Sequence, residues 1–278
     1  MVGTMVGTVI TIILDPLLIF PVGLGAAGAA LATVIGYTVS AGLLVYLTKR
    51  YCQVISIAIK RSRIDSQLIR QILFIGIPGS ITNLMQAFGT AVLNRYLVDY
   101  GATRVAAMGI VLKVYMIVML VMVGFAFGAQ PLIGYTFGAN NQERFRRILH
   151  FDLLVEVVYA LVFAVILMIG APWIISQFLH NSAVISAGTY MLRVFLVTTP
   201  FVGAVLVYTT VFQSTGKAIG ALIMSIARQG VVFYLMIVFG AHFLGYHGII
   251  WAQPTADVLT CLIGWLLARL LFNRKKSI

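Results

Sequence analysis

The run RVAAMGIVLKVYMIVMLVMVGFAFGAQPLIGYTF, residues 104–137, decides the fold class of this chain. Its only charged residues are Arg104 and Lys113. A helix needs about 20 apolar residues to cross the ~30 Å hydrocarbon layer of a bilayer, and this run is longer than that. It therefore predicts a membrane-spanning helix.

Seven further runs have the same character, or closely approach it. Of the 278 residues, 61% are hydrophobic and 9% are charged, and the mean hydropathy is +1.04. A soluble domain carries about 25% charged residues, so this composition argues against a water-soluble fold. We predict an all-α integral membrane protein with eight transmembrane helices. The eight runs cover residues 3–20, 27–48, 70–95, 104–137, 148–170, 184–212, 219–241 and 248–272.

The net charge of +12 could indicate a nucleic-acid-binding protein, but the distribution of the basic residues favours a membrane. Most of them lie in alternate connections between the predicted helices, and therefore on one side. The opposite side keeps only Arg95 and Arg104, beside Asp99, and residues 171–183 and 240–247 contain no Lys or Arg. The positive-inside bias makes the basic side cytoplasmic, so we expect a cytoplasmic C-terminus. The basic side holds Lys49, Arg50, Lys60, Arg61, Arg63, Arg70, Arg144, Arg146, Arg147, Lys217, Arg269, Arg274, Lys275 and Lys276.

A weak internal repeat relates the two ends of the chain. Sliding residues 24–44 onto 244–264 without gaps aligns small and apolar residues with each other. If the repeat is real, the first two helices correspond to the last two, and the second half has six helices. The matched pairs are Leu24 with Leu244, Gly25 with Gly245, Gly28 with Gly248 and Ala32 with Ala252.

Several segments, in this order and spacing, resemble the multidrug and toxic compound extrusion (MATE) transporters, most closely their MepA-like bacterial branch. They are LDPLLIF (14–20), GAAGAALATVIG (25–36), IGIPGSI (75–81), VGFAFGAQPLIGYTFGANNQERFRRIL (123–149), FQSTGKA (212–218), ARQG (227–230) and GYHGIIWAQPTADVL (245–259). The resemblance implies two six-helix bundles, and it implies that this chain lacks the first four helices of the first bundle. It also implies residence in the bacterial plasma (inner) membrane, multidrug efflux of xenobiotics and a part in antibiotic resistance.

The repeat and the resemblance together predict the domain organisation. Residues 1–50 would form the last two helices of an N-terminal bundle, and residues 51–69 a basic cytoplasmic connection. Residues 70–278 would form the complete C-terminal six-helix bundle.

Asp15 and Pro16 interrupt the first apolar run. A charged group inside a membrane costs at least ~2.5 to 3.5 kcal/mol on insertion scales, so Asp15 is a functional candidate. The charged form of a carboxyl is disfavoured among Ile, Leu and Phe side chains, which allows a proton to bind and leave. Pro16 removes a backbone donor and is expected to kink the helix. The family resemblance likewise implies ion coupling by H⁺ or Na⁺ at this acid; a helix-end carboxylate at the interface is the alternative.

Amide and thioether side chains are candidates for the substrate cavity. We expect Asn83, Gln86 and Asn94 of the third predicted helix to line it, with ordinary interhelical hydrogen bonds as the alternative. Met116 and Met119 of the fourth would suit flat cationic compounds, because thioethers are flexible and polarisable, but they would equally suit lipid or core packing.

Two further pairs of charged residues lie within apolar runs. Arg228 and Asp257 are expected to form a structural ion pair, since an unpaired charge there would be costly. Asp152 and Glu156 lie one turn apart, and they could bind a cation or pair with Arg146 and Arg147. The ion pairing is the favoured interpretation.

The resulting function hypothesis is an antiporter of cationic or amphipathic organic compounds against H⁺ or Na⁺, acting by alternating access. The alternatives are a flippase for lipid-linked precursors and a non-transporting fragment of a transporter. We expect no enzyme activity, since no paired carboxylates or clustered histidines suit acid–base or metal chemistry. We also expect no cofactor besides the coupling ion, no metal site, small organic cations and membrane lipid as partners, no nucleic acid, and a monomer.

Overall fold

A computed structural model describes residues 2–51 and 66–273, and these residues form helices without a strand among them. They divide into two compact units, Met1–Asp65 and Ser66–Ile278. Most of the expected connection between residues 51 and 69 lies outside the described residues, as do Arg274, Lys275 and Lys276. The all-α prediction is confirmed for the described part of the chain.

The first unit contains a helical hairpin, α1 (Val2–Ile19) and α2 (Gly25–Tyr51). The turn between them ends at Gly25, whose φ of 52° is favourable for glycine. Small residues let the two helices approach closely: a Cβ at Gly28 would lie 2.7 Å from the Leu18 carbonyl oxygen. Close backbone packing through small residues is typical of helices in membranes.

The second unit contains seven α-helices among the described residues and one π-helical turn. A bend of 48° separates the sixth and seventh helices, at Thr198, where Pro200 follows in the first turn of the next helix. The helices are α3 (Ser66–Val98), α4 (Ala102–Gly138), α5 (Gln142–Phe178), α6 (Ser182–Val197), α7 (Thr199–Ser214), α8 (Ala218–Ile226) and α9 (Val232–Asn273), and the π-helical turn is Ala227–Val231.

Gly245 divides α9 into two arms. Its φ of 58° and ψ of −130° are not helical, and the arms fold against each other so that a Cβ at Gly240 would lie 2.5 Å from the Gly248 carbonyl oxygen. Gly25 and Gly28 have the same roles in the first unit, with a positive φ at the start of the helix and a close backbone contact one turn later. This shared construction supports the internal repeat.

Among the described residues, four helical segments are long and apolar enough to cross a membrane, and a bent pair of shorter helices brings the number to five if it counts as one span. The predicted number of eight spans therefore remains a prediction. The four segments are Gly25–Tyr51, Ala102–Gly138, Gln142–Phe178 and Ala218–Leu271, and the bent pair is α6 with α7.

The outer surface of these helices is apolar, which suits lipid. Along α5, for example, Phe151, Leu154, Val158, Leu161 and Ile169 are all at least half exposed. A soluble protein rarely exposes such a continuous apolar stripe, whereas a membrane protein turns it toward hydrocarbon. The described helices therefore have the surface of a membrane protein.

Contacts between connections show that the basic connections of the second unit lie at one end. The Lys217 ammonium group donates a hydrogen bond to the Leu271 carbonyl oxygen near the end of α9, and it also lies over the Phe137 ring at the end of α4. At the other end, the Arg104 guanidinium lies 4.2 Å from the ring centre of Tyr246. The alternate connections thus lie at opposite ends of this unit, as the charge analysis requires.

Candidate transport site

The Asp15 carboxyl lies within the last two turns of α1 and is half-buried. Its Oδ1 atom is buried and has no hydrogen-bond partner among the described residues. Pro16 is exposed and lies inside the helix, which continues to Ile19. A buried carboxyl oxygen without a partner is a site that can accept a proton or a cation.

Polar side chains form a stripe along one face of α3. Asn83, Gln86 and Thr90 are exposed, and Asn94 is half-buried. The neighbouring face of α3 packs against α8 and the π-helical turn, because the hydroxyl groups of Thr82 and Ser225 lie 2.6 Å apart. Within the second unit, the side chains of this stripe are therefore largely exposed.

Met116 and Met119 occupy different environments on α4. Met116 is 59% exposed, whereas Met119 is half-buried and packs against apolar clusters that include Val118 and Met122. The environment of Met119 is that of core packing, the alternative interpretation of this residue. The structure does not bring these two methionines together with the α3 amides in a described cavity.

Arg228 and Asp257 form a buried ion pair. The Arg228 Nε atom donates to Asp257 Oδ1 over 3.0 Å, and the two side chains are 13% and 2% exposed. Gln253 Nε2 donates to the same carboxylate oxygen over 3.1 Å, and the Tyr115 side chain faces the guanidinium. Arg228 lies in the π-helical turn, a distortion that is frequent at functional sites. This network joins α4, the π-helical turn and the second arm of α9.

The favoured pairing of Asp152 and Glu156 with Arg146 and Arg147 is wrong. The Arg147 Nη2 atom instead donates to Glu143 Oε1 over 2.9 Å, and both of these side chains are exposed. Five or six residues along a helix rotate a side chain by about 140° or 240°, so the two arginines face away from Asp152. This rotation could have been read from the spacing alone.

The two carboxyl groups are buried instead. Asp152 is 5% exposed and Glu156 is 0% exposed. Asp152 Oδ2 and both carboxylate oxygens of Glu156 lack a hydrogen-bond partner in the described part of the chain.

An open groove of about 570 Å³ lies between α5 and α6, away from the predicted substrate residues. Arg193 at its edge donates from Nε to the Met168 carbonyl oxygen over 3.1 Å. The groove is lined by Pro172, Ser182, Ile185, Ser186, Thr189, Tyr190 and Arg193. Within residues 2–51 and 66–273, no group of three or more His, Cys, Asp or Glu side chains could hold a metal ion.

Comparison with known proteins gives consistent matches. The sequence model of the MatE family matches residues 78–239, more than half of the chain. Multidrug export protein MepA of Staphylococcus aureus is 29% identical over 274 residues, which cover 99% of this chain and 60% of the relative. The chain thus spans about 60% of the length of the curated relatives it matches.

Solved structures show the same fold. A mutant of the MATE transporter VcmN of Vibrio cholerae has a TM-score of 0.87 at 22% identity, over 98% of this chain and 62% of that one. A MOP superfamily transporter of Pyrococcus furiosus has a TM-score of 0.91 at 20% identity, over 100% of this chain and 63% of that one.

Proposed function

Because the chain belongs to the MatE family, we propose that it acts in multidrug efflux, as an antiporter of cationic or amphipathic organic compounds against H⁺ or Na⁺. It belongs to a family of transporters and not to one of enzymes. The S. aureus relative is named a multidrug export protein, which supports this substrate class.

The Asp15 carboxyl carries the proposal. Its Oδ1 atom is buried without a hydrogen-bond partner among the described residues, in a helix of otherwise apolar and small residues. An ion that binds Asp15 in one conformation better than in the other shifts the transporter toward that conformation. Entry of H⁺ or Na⁺ at Asp15 would in this way favour release of the substrate outside, and Pro16 would let α1 bend during the exchange.

The amide stripe of α3 is the proposed substrate surface. The carbonyl groups of Asn83, Gln86 and Asn94 are uncharged acceptors that suit an organic cation, and Met116 adds an exposed thioether. Met119 would support the position of Met116 through core packing. No resident cofactor is needed besides the coupling ion, and membrane lipid would surround a monomer.

The proposed domains are the two-helix end of an N-terminal bundle at 1–50, a basic connection at 51–69 and a C-terminal bundle at 70–278. The proposed location is the bacterial plasma membrane with a cytoplasmic C-terminus. The end of the second unit with Arg146, Lys217 and Arg269 would face the cytoplasm.

Ethidium efflux from energised cells tests the function. Two forms would be expressed, each with and without Asp15→Asn. One is the chain alone, and the other is an extended form in which the chain follows the region that precedes the matched segment in a full-length relative. Asp99→Asn is the matched control, because Asp99 is an exposed carboxyl in the connection between α3 and α4. We expect efflux that depends on an ion gradient and is lost on Asp15→Asn alone. Efflux independent of proton and sodium gradients would contradict antiport.

A further inference from the structure

The carboxyl groups of Asp152 and Glu156 form a second acidic site, on α5 of the second unit. They are four residues apart, so they lie on the same helix face about 6 Å apart along the axis. Both side chains are more than nine-tenths buried, and three of their four oxygens have no hydrogen-bond partner in the described ranges. Nothing in the transport scheme above uses this pair.

Two apolar clusters and a glycine enclose the pair. One cluster, which includes Phe145 and Val207, lies toward the start of α5, and another, which includes Met122 and Ala160, lies toward its end. Gly203 of α7 lets the helices close over Glu156, since a Cβ there would lie 3.3 Å from the Glu156 Cβ. Glu156 also faces the backbone of Ala126 on α4. The pair is thus shielded from water by α4 and α7.

The charged groups of the helices packed against α5 do not reach the pair. On α4, Lys113 is thirteen residues from Ala126, about 20 Å along the helix, and Arg104 is further away. On α6, the Arg193 guanidinium binds the Met168 carbonyl oxygen, which lies about 18 Å beyond Glu156 along α5. α7 contains no charged residue. Both carboxyl groups therefore lack a basic partner within residues 2–51 and 66–273.

On α5 itself, His150 is exposed, and its Nδ1 atom lies 2.7 Å from the Arg146 carbonyl oxygen. The remaining titratable groups near this region are tyrosines. Tyr159, one turn beyond Glu156, is half-buried, and its ring lies 4.3 Å from that of Phe163 and 5.9 Å from that of Phe125. On α4, Tyr115 faces Arg228 and Tyr135 is exposed, and on α7, Tyr208 faces Cys261. On α6, Tyr190 bonds His247 at the far end of the unit. Asp152, Tyr159 and the Ala126 backbone are therefore the groups that Glu156 interacts with.

Two adjacent buried carboxylates without a cation would repel each other and lose their hydration, so in such a site they bind an ion or become neutral. A bound divalent metal ion needs more oxygen ligands than this pair supplies, and no third acidic or histidine side chain is near the pair among the described residues. A proton needs only one carboxyl oxygen, and the second carboxyl can accept a hydrogen bond from the first. We propose that Asp152 and Glu156 are a proton-binding site of the second unit.

The use of this site in transport rests on the proposed function. Because Gly203 and Met122 seal it, a small movement of α7 away from α4 would admit water and allow the proton to leave. Proton release would then accompany a conformational change of the second unit, independently of Asp15 in the first. Proton binding itself can be measured without transport.

Infrared difference spectroscopy of the purified protein tests the proposal directly. A protonated carboxylic acid in an apolar site has a carbonyl stretch distinct from that of a carboxylate. We expect wild type to show such a band at acidic and neutral pH and to lose it as the pH rises. Glu156→Gln should remove the band, Asp152→Asn should shift it, and Asp99→Asn, at the exposed carboxyl between α3 and α4, should leave it in place. Identical spectra of wild type and Glu156→Gln over the whole pH range would overturn the proposal.

A measurement on wild type covers the case in which Glu156→Gln fails to fold. Dicyclohexylcarbodiimide, an apolar reagent, modifies protonated carboxyl groups, and mass spectrometry locates the adduct. We expect modification of Glu156 or Asp152 that declines with rising pH. Absence of an adduct on both residues at acidic pH, while the denatured protein reacts, would contradict the proposal. If wild type shows the infrared band and the adduct but no efflux, the proton-binding site would stand and the proposed transport function would be refuted.

Discussion

Removal of one partner from the Arg228–Asp257 pair should destabilise the second unit strongly. In Asp257→Asn the guanidinium keeps an amide oxygen as an acceptor but loses its counter-charge. The two side chains are 13% and 2% exposed, so water cannot replace the carboxylate without opening the contact with Tyr115 and Gln253. A buried pair broken on one side costs about 3–5 kcal/mol. We expect the upper half of that range for Arg228→Met, which leaves Gln253 as the one side-chain donor to the carboxylate among the described residues.

The double variant Arg228→Met/Asp257→Leu distinguishes the loss of a charge partner from the loss of side-chain packing. Apolar side chains of similar volume often replace a buried ion pair at no cost, or stabilise by about 1–4 kcal/mol. We therefore expect the free energy of unfolding of the double variant to be higher than that of wild type, or within about 1 kcal/mol of it, although each single variant is destabilised.

The free energy of unfolding would be measured in mixed micelles by titration with a denaturing detergent. Tryptophan fluorescence suits the assay, because Trp251 lies on the same arm of α9 as Asp257 and donates to the Tyr190 hydroxyl over 3.2 Å. The pairing would be refuted if each single variant had a free energy of unfolding within about 1 kcal/mol of wild type. It would also be refuted if the double variant were destabilised by the sum of the two single effects.

Two further predictions concern packing and the substrate surface. Gly248→Ala should cost about 3 kcal/mol or more by the same unfolding assay, because its Cβ would collide with the Gly240 backbone, whereas Gly124→Ala, with open space at its Cβ, should change stability by less than about 1 kcal/mol. Equal effects of the two substitutions would contradict the close contact. Gln86→Leu should weaken ethidium binding, measured by fluorescence anisotropy, without lowering unfolding stability, because the side chain is exposed on α3; unchanged affinity would remove Gln86 from the substrate surface.

The apolar runs were sufficient to predict an all-α chain, because a helix pairs its own backbone groups internally, as a bilayer requires. Their ends were less predictable. The run 148–170 belongs to a helix that begins at Gln142, where the Asn141 side chain accepts a hydrogen bond from the Arg144 backbone. The run 184–212 is interrupted by the bend at Thr198, and its Pro200 is the signal that could have been used.

The candidate sites were partly predictable for a similar reason. Charged residues inside apolar runs are few, so Asp15, Arg228 and Asp257 were evident candidates. The contacts that Gln253 and Tyr115 make with the Arg228–Asp257 pair could not be predicted, because these residues are distant in the sequence or carry no charge. The environment of Asp152 and Glu156 does not follow from the arginines near them in sequence, because helix rotation separates these side chains in space. The π-helical turn at Arg228 has no signal in the residue types, since it depends on packing against α3 and α9.

The most direct test of the transport account is ethidium efflux by the chain, alone and in its extended form, before and after Asp15→Asn. The account predicts efflux that collapses with the ion gradient and is abolished by Asp15→Asn but not by Asp99→Asn. Undiminished efflux in Asp15→Asn would contradict the coupling role of the carboxyl, and no efflux from any form would contradict multidrug export itself.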